Sequence, residues 1–192
     1  LLEKLPLQTP VTFTTFSSKS KLIFSEKVNL NTSREVDDLL SKVKLGGGTN
    51  VFSGLSEASR SWDVETRDSA QTILISDGSF TVTQKINDIV KSEFENKGRQ
   101  LKVIQIESKA KNIDRLQPYQ TSLINVAPSE LRSAVFQIYE ISSLGAVSCG
   151  CTDEYSDTMN YHFVIDYSGS MKLYKWRAVK AMKYLFDKVP QT

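Results

Sequence analysis

The run Phe163-Val164-Ile165-Asp166-Tyr167-Ser168-Gly169-Ser170-Met171 joins an apolar segment directly to Asp-x-Ser-x-Ser. A carboxylate and two hydroxyls at alternating positions, on a turn just past a buried strand, can converge on one point. Hard cations such as Mg²⁺ take oxygen ligands of these kinds, usually alongside several waters. The triplet is short, and its weight comes from what the rest of the chain places around it.

The elements that must do the positioning are legible from hydrophobic period and turn residues. Leu1 to Lys4 reads as the last turn of a helix. Val11 to Phe16 and Lys21 to Val28 read as strands joined in a hairpin. Thr32 or Ser33 caps a helix with Val36, Leu39, Leu40 and Val43 on one face, stopped by Gly46-Gly47-Gly48. A second helix turns Val51, Phe52, Leu55, Ala58 and Trp62 inward. Thr72 to Ser76 is a buried-type strand closed by Asp77-Gly78. Thr83 opens a helix with Ile86, Ile89, Val90 and Phe94 on one stripe, ended by Gly98. Leu101 to Ile106 and Leu123 to Val126 are strands, with a short helix predicted over Ile113 to Tyr119 between them. Ser129 caps a helix carrying Leu131, Ala134, Val135, Ile138 and Ile141. Ser142 to Asn160 is polar and aperiodic, hence a linker. Tyr161 to Ile165 is the most apolar strand, and Leu173 to Phe186 an amphipathic helix.

Short apolar strands alternating with helices predict an α/β fold with a doubly wound, mostly parallel sheet flanked by helices on both faces. Ligands in such sheets bind at the carboxyl ends of strands, where strand order reverses. Asp77 and Asp166 each follow an apolar strand directly, so both carboxylates are expected on the same rim.

Composition narrows the function. With 192 residues, 40% of them hydrophobic and 24% charged, the chain can bury a sizeable core as one domain. A net charge of +2, with lysines spread along the chain, argues against a nucleic-acid partner. No apolar run approaches a membrane span, and the first residues do not read as a signal peptide. Cys149 and Cys151 read as linker thiols, with a redox or metal-binding pair or a lipid-anchoring cysteine as the alternative, and the single histidine, His162, as a structural residue of its strand.

Enzymatic signatures are missing. Gly46-Gly47-Gly48-Thr49 lacks the lysine of a phosphate-binding loop, and no dinucleotide fingerprint follows a strand. Tyr167-Ser168-Gly169-Ser170 is not a nucleophile elbow. His162 is expected at the end of its strand away from the rim, where it cannot serve as a general base for metal-assisted hydrolysis. The chain is therefore expected not to be an enzyme.

Three segments together resemble the von Willebrand factor A family, the fold of integrin inserted domains: Asp166-x-Ser168-x-Ser170, Thr49 in Gly-Gly-Gly-Thr-Asn, and Asp77 in Ile-Leu-Ile-Ser-Asp-Gly. They match the five positions of that family's metal-ion-dependent adhesion site. Val11 to Ser18 resembles its second strand, and Thr49-Asn50-x-x-x-Gly54-Leu55 its threonine loop and following helix. The resemblance implies metal ligation by Asp166, Ser168, Ser170, Thr49 and Asp77, with the aspartates often acting through water.

The order departs from the family. There the Asp-x-Ser-x-Ser strand comes first; here it comes last, so the chain looks circularly permuted. Leu2-Glu3-Lys4-Leu5-Pro6-Leu7-Gln8-Thr9 also resembles Phe186-Asp187-Lys188-Val189-Pro190-Gln191-Thr192, as though the chain began where it ends. A true permutation, the rear of one tandem repeat followed by the front of the next, and exchange between neighbouring chains all fit. The expected arrangement is one self-completed domain: residues 1–141 run from the second strand to the last helix, 142–160 link, and 161–192 supply the first strand and helix. Those 19 linking residues could span roughly 60 Å fully extended.

The expected function is a divalent-metal-dependent binding module. Mg²⁺, replaceable by Mn²⁺ or Ca²⁺, sits at the sheet rim and accepts an Asp or Glu carboxylate from a partner protein. Tyr167, Met171, Asn50, Ser79 and Phe80 are expected, by position, to contact that partner. The alternative is a self-assembling repeat, packing or swapping with its neighbours, in which the metal only stiffens the rim.

Overall fold

A computed structural model describes residues 5, 7–61, 70–97, 99–106, 122–135 and 160–186. Several expected features lie outside the described residues. They are the turn Leu1–Lys4, Trp62, Gly98, the helix Ile113–Tyr119, Ile138 and Ile141, the linker up to residue 159 with Cys149 and Cys151, and residues 187–192.

The fold is α/β. Strands β1 (Pro10–Phe16) and β2 (Ser20–Lys27) form a hairpin, followed by helices α1 (Thr32–Lys42) and α2 (Val51–Arg60). Then come β3 (Ala70–Ser76), α3 (Gln84–Ile89) running on as a π-helical turn (Val90–Glu95), β4 (Gln100–Ile106) and β5 (Ser122–Val126). A helix described over residues 131–135 (α4) precedes β6 (Asn160–Asp166). A 3₁₀ turn (Gly169–Leu173) and helix α5 (Lys175–Phe186) close the described chain.

The described strands join one six-stranded sheet in the order β2-β1-β6-β3-β4-β5. β1, β6, β3, β4 and β5 run parallel, and only the edge strand β2 is antiparallel. The chain moves outward to one edge through β1 and β2, then outward to the other through β3, β4 and β5. The last strand, β6, fills the centre. It pairs with β1 from Val11↔Tyr161 to Phe16↔Asp166 and with β3 from Ala70↔Asn160 to Ile75↔Ile165. The two ends of the sequence therefore close on one another through two ladders of backbone hydrogen bonds.

Successive strand residues point to opposite faces, and here they fall into two separate apolar clusters. Phe13, Ile73, Ile75, Ile104, Phe163 and Ile165 pack with Val36 and Leu40 of α1 and Ala178, Val179 and Met182 of α5. Phe16, Leu74, Val103 and Val164 pack with Val51, Leu55 and Ala58 of α2 and Ile86, Val90 and Phe94 of α3 and its π-turn. Phe13 stacks on Phe163 at 4.9 Å and meets Phe24 and Phe186 edge-on at 6.1 and 5.9 Å. One ring thus ties β1 to β2, β6 and α5. On the other face Gly54 lets α2 approach the sheet: a Cβ there would lie 2.7 Å from the Phe16 ring and 3.0 Å from Val164.

Two expectations need correcting. Leu39 is exposed, because the buried stripe of α1 runs through Thr32, Val36 and Leu40 and leaves Leu39 at its margin. The helix after β6 begins at Lys175, not Leu173. Bonds from the Met171 N–H to the Ser168 carbonyl and from the Tyr174 N–H to the Met171 carbonyl wind a 3₁₀ turn first.

His162 is structural, as expected, and sits near the start of β6. It is buried, shares a 3.0 Å hydrogen bond from Nε2 to Thr14 Oγ1, and leaves Nδ1 without a partner. Burial pushes its pKa down to about 3, because the charged ring loses hydration it cannot replace. The unfolded chain binds this proton below about pH 6.5 and the folded chain does not, so stability is complete above that pH and lost as pH falls toward 3. The slope is up to about 1.4 kcal/mol per pH unit. Urea denaturation at a series of pH values between 7 and 4 should show His162→Gln losing markedly less stability on acidification than the parent.

Candidate metal centre

Three segments meet where β6, β1 and β3 end. The first is the end of β6. Asp166 is the last strand residue, paired with Phe16, and is 1% exposed. Its carboxylate is held on both oxygens: Oδ1 accepts from the Ser168 N–H at 2.8 Å and Oδ2 from the Ser76 hydroxyl at 2.7 Å. Ser168 is buried and Ser170 exposed, and their hydroxyls share a 2.9 Å hydrogen bond. The 3₁₀ turn produces this geometry by reversing the chain within two residues of the strand, so both hydroxyls stay at its tip.

The second segment is the end of β3. Ser76 closes the strand; its oxygen accepts from the Gly78 N–H at 3.1 Å while its hydroxyl serves Asp166. Asp77 follows, half-buried, with Oδ1 accepting from the Ser79 N–H at 3.0 Å. Gly78 has φ +73°, a left-handed conformation that glycine adopts freely.

The third segment is the loop from α1 to α2. The Gly46 N–H donates to the Tyr167 carbonyl at 3.2 Å, and the Asn50 N–H to the Ser17 carbonyl at 2.7 Å. Thr49, half-buried, lies between these two anchors, over the ends of β6 and β1. Glycine suits position 47 on two counts. Its φ is +72°, and a Cβ would fall 2.7 Å from Ser18 Oγ. Asn50 caps α2, its Oδ1 accepting from the Ser53 N–H at 3.1 Å.

The electrostatics single out Asp166. Loss of hydration raises its pKa; hydrogen bonds from Ser76 and Ser168 pull it partly back, and repulsion from Asp77 raises it further. Among the described residues no lysine or arginine pairs with it. A buried carboxylate with a second one close by and no counter-cation is unfavourable as it stands. The described residues contain no group of three or more His, Cys, Asp or Glu placed to hold a metal ion. The oxygens gathered at Asp166 are mostly hydroxyls.

Of the residues expected to contact a partner, three are corrected. Tyr167, Met171 and Phe80 are buried. Tyr167 points down against α1, its hydroxyl donating to the Leu40 carbonyl at 3.2 Å, and burial raises its pKa. Met171 is packed into the cluster with α1 and α5, and Phe80 into the cluster with α2 and α3. Closeness in sequence to the rim put them at the rim, but their side chains support it from below. Asn50 and Ser79 are exposed.

Sequence reasoning missed two contributors. Ser76 orients the buried carboxylate, and its signal was a lone polar residue ending an otherwise apolar strand. Lys175 binds the loop to α5: its ammonium donates to the Ser41 carbonyl at 3.1 Å and to the Val43 carbonyl, at the end of α1 where the loop begins. Nothing in the sequence marks that contact. No protein-family model, curated protein or solved structure matches this chain. Among the described residues no helix is long and apolar enough to cross a membrane.

Because the folded-state pKa of Asp166 is raised, its contribution to metal-free stability is complete below the ordinary carboxylate range. It is lost as pH rises through the folded value. Asp166→Asn keeps the shape and removes the charge. In chelator-treated protein at neutral pH this variant should melt higher than the parent, by about 2–4 °C for each kcal/mol relieved. The advantage should vanish at acid pH, as differential scanning calorimetry at the two pH values would show.

Proposed function

We propose that this chain is a circularly permuted von Willebrand factor A-type domain, doubly wound with helices on both faces of its sheet, that binds a divalent cation at the rim and uses it to hold a carboxylate of a partner protein. The observation that carries this reading is Asp166: buried, without a cationic partner among the described residues, and placed beside two touching serine hydroxyls and a second carboxylate. Counted with β6 as the first strand and β1 as the second, the strand order reads 3-2-1-4-5-6, which belongs to the doubly wound class. Asp166 and Asp77 flank the point where that order reverses, the ligand-binding crevice of such sheets.

The donor set suits Mg²⁺, with Mn²⁺ or Ca²⁺ as substitutes, since all are hard ions that prefer oxygen. Asp166, Ser168, Ser170, Thr49 and Asp77 are the residues that would hold it. Two carboxylates roughly balance a divalent charge, and neutral hydroxyls leave the ion short of electron density. The bound ion supplies a Lewis-acidic position that an incoming carboxylate can take from water. The protein's part is to fix the oxygens: Ser76 orients Asp166, the 3₁₀ turn presents Ser168 and Ser170, and the Gly46–Asn50 loop carries Thr49. The chain is read as one self-completed domain because β6 pairs with both β1 and β3.

Isothermal titration of Mg²⁺ into the chelator-treated monomer should give saturable 1:1 binding. Asp166→Ala should abolish it. Asp77→Ala should weaken it at least about tenfold while leaving the melting temperature of the metal-free protein nearly unchanged, since Asp77 is only half-buried. No binding by the monomer, together with metal-independent oligomers, would sink the proposal in favour of a self-assembling repeat.

A further inference from the structure

Past Ser170, the end of the 3₁₀ turn and the start of α5 each carry a large apolar side chain in solvent: Leu173 is 78% exposed and Trp176 60%. They stand three residues apart where the 3₁₀ turn passes into the helix, so they share one side of it. Ser170 lies three residues before Leu173. The Lys175 ammonium sits 5.4 Å from the Trp176 ring centroid and 5.5 Å from that of Tyr167, the ring that braces the rim from below. Trp176 thus stands near the end of α1, next to the ring beneath the rim.

The charge carried by this stretch of chain has one sign. Between Ser170 and Ala181 the chain carries Lys172, Lys175, Arg177 and Lys180 and no carboxylate. Lys172 and Arg177 are exposed, and among the described residues neither forms an ion pair. An exposed tryptophan in a cationic setting is the usual anchor of a protein interface rather than of a solvated surface.

We propose that Leu173 and Trp176 form the second half of the partner-binding surface. They would receive a large apolar side chain from an acidic protein segment whose neighbouring carboxylate takes the metal. The proposal rests on the metal-dependent reading above and adds what that reading lacks, the chemistry of the partner beyond its carboxylate. The occupant is fixed by complementarity. The metal and the exposed Lys172 and Arg177 select negative charge, and the Leu173–Trp176 pair selects an apolar residue next to it. A segment with acid alone would leave the pair uncovered, and an apolar segment without acid would leave the cations unmatched.

The test uses a short fluorescein-labelled peptide alternating Asp with Leu and Phe, and a control with Ser at every Leu and Phe. Anisotropy is measured with Mg²⁺ and with chelator, against the parent chain, Trp176→Ser and Leu173→Ser, and Mg²⁺ affinity is measured separately by calorimetry on all three proteins. The expected result is Mg²⁺-dependent binding of the apolar peptide. Either substitution should weaken it about tenfold or more, the serine control should bind comparably weakly, and Mg²⁺ affinity should stay unchanged throughout. Mg²⁺-dependent binding indifferent to both substitutions would overturn the apolar half and leave the metal site standing. Binding that ignores Mg²⁺, absence of binding, or Mg²⁺-independent capture by phosphatidylserine vesicles lost in the same variants would overturn the proposal outright. The calorimetric titration then tells whether the metal reading has fallen with it.

Discussion

The insertion of β6 between β1 and β3 is the constraint on which the rest of the structure depends. A central parallel strand is hydrogen-bonded on both sides and buried on both faces, and every residue of β6 is buried. Without it, β1 and β3 would each present an open edge, and Phe13 would lose the ring it stacks on. The same pairing fixes the rim. Phe16↔Asp166 sets the height of the carboxylate, and the ladder to β3 brings Ser76 within 2.7 Å of it. A slip of one residue would turn Asp166 to the opposite face and move Tyr167 into its place.

Burial then gives the site its character. An aspartate at the tip of an exposed strand would be hydrated and indifferent to a cation. Asp166 is enclosed by the strand ends and the loop above, so its charge is poorly solvated and must be satisfied by what lies next to it. Two hydrogen-bond donors satisfy it in part, while Asp77 works the other way. The buried side chains beneath, Tyr167 and Met171, make the tip rigid. Tyr167 is bonded to the end of α1, and Lys175 grips the same helix end. The rim is thus braced against α1 and α5 at the point where the loop with Thr49 departs. Preorganised oxygens of this kind lose little freedom on capturing an ion, and that favours binding by few charges.

The sheet was legible in the sequence because buried parallel strands are near-continuous apolar runs, and Ile73-Leu74-Ile75 and Phe163-Val164-Ile165 are such runs. The Asp166-x-Ser168-x-Ser170 triplet was legible because it interrupts one of them. The direction of side chains beyond the strand was not. Tyr167, Met171 and Phe80 follow rim residues in sequence, but whether a side chain points up or down depends on backbone turns a few residues long. The 3₁₀ turn after Ser168 was not distinguishable from the first turn of a helix. Ser76 and Lys175 act across strands and helices that the chain order separates by up to 134 residues, and a single sequence carries no local signal for such contacts. Leu39 failed for a different reason: an apolar residue at the margin of a helical stripe satisfies the period whether or not the neighbouring layer reaches it.

Chain order has different consequences for the finished site and for its formation. Once folded, the rim depends on which strands are adjacent, and adjacency is the same whether β6 opens the sequence or ends it. Formation is another matter, because the ladder between β1 and β6 joins residues such as Thr14 and His162, 148 apart. Closing a loop that long costs entropy before any contact compensates, and folding slows as such contacts come to dominate. The hairpin of β1 and β2 and the unit of β3 and β4 can form locally. Asp166 acquires its burial, its bond from Ser76 and its neighbour Asp77 only when β6 enters between them. An ion that requires those partners would bind the closed sheet and not the open one, and would therefore stabilise the closure itself. The cation proposed for recognition is also the ligand best placed to keep β6 between β1 and β3.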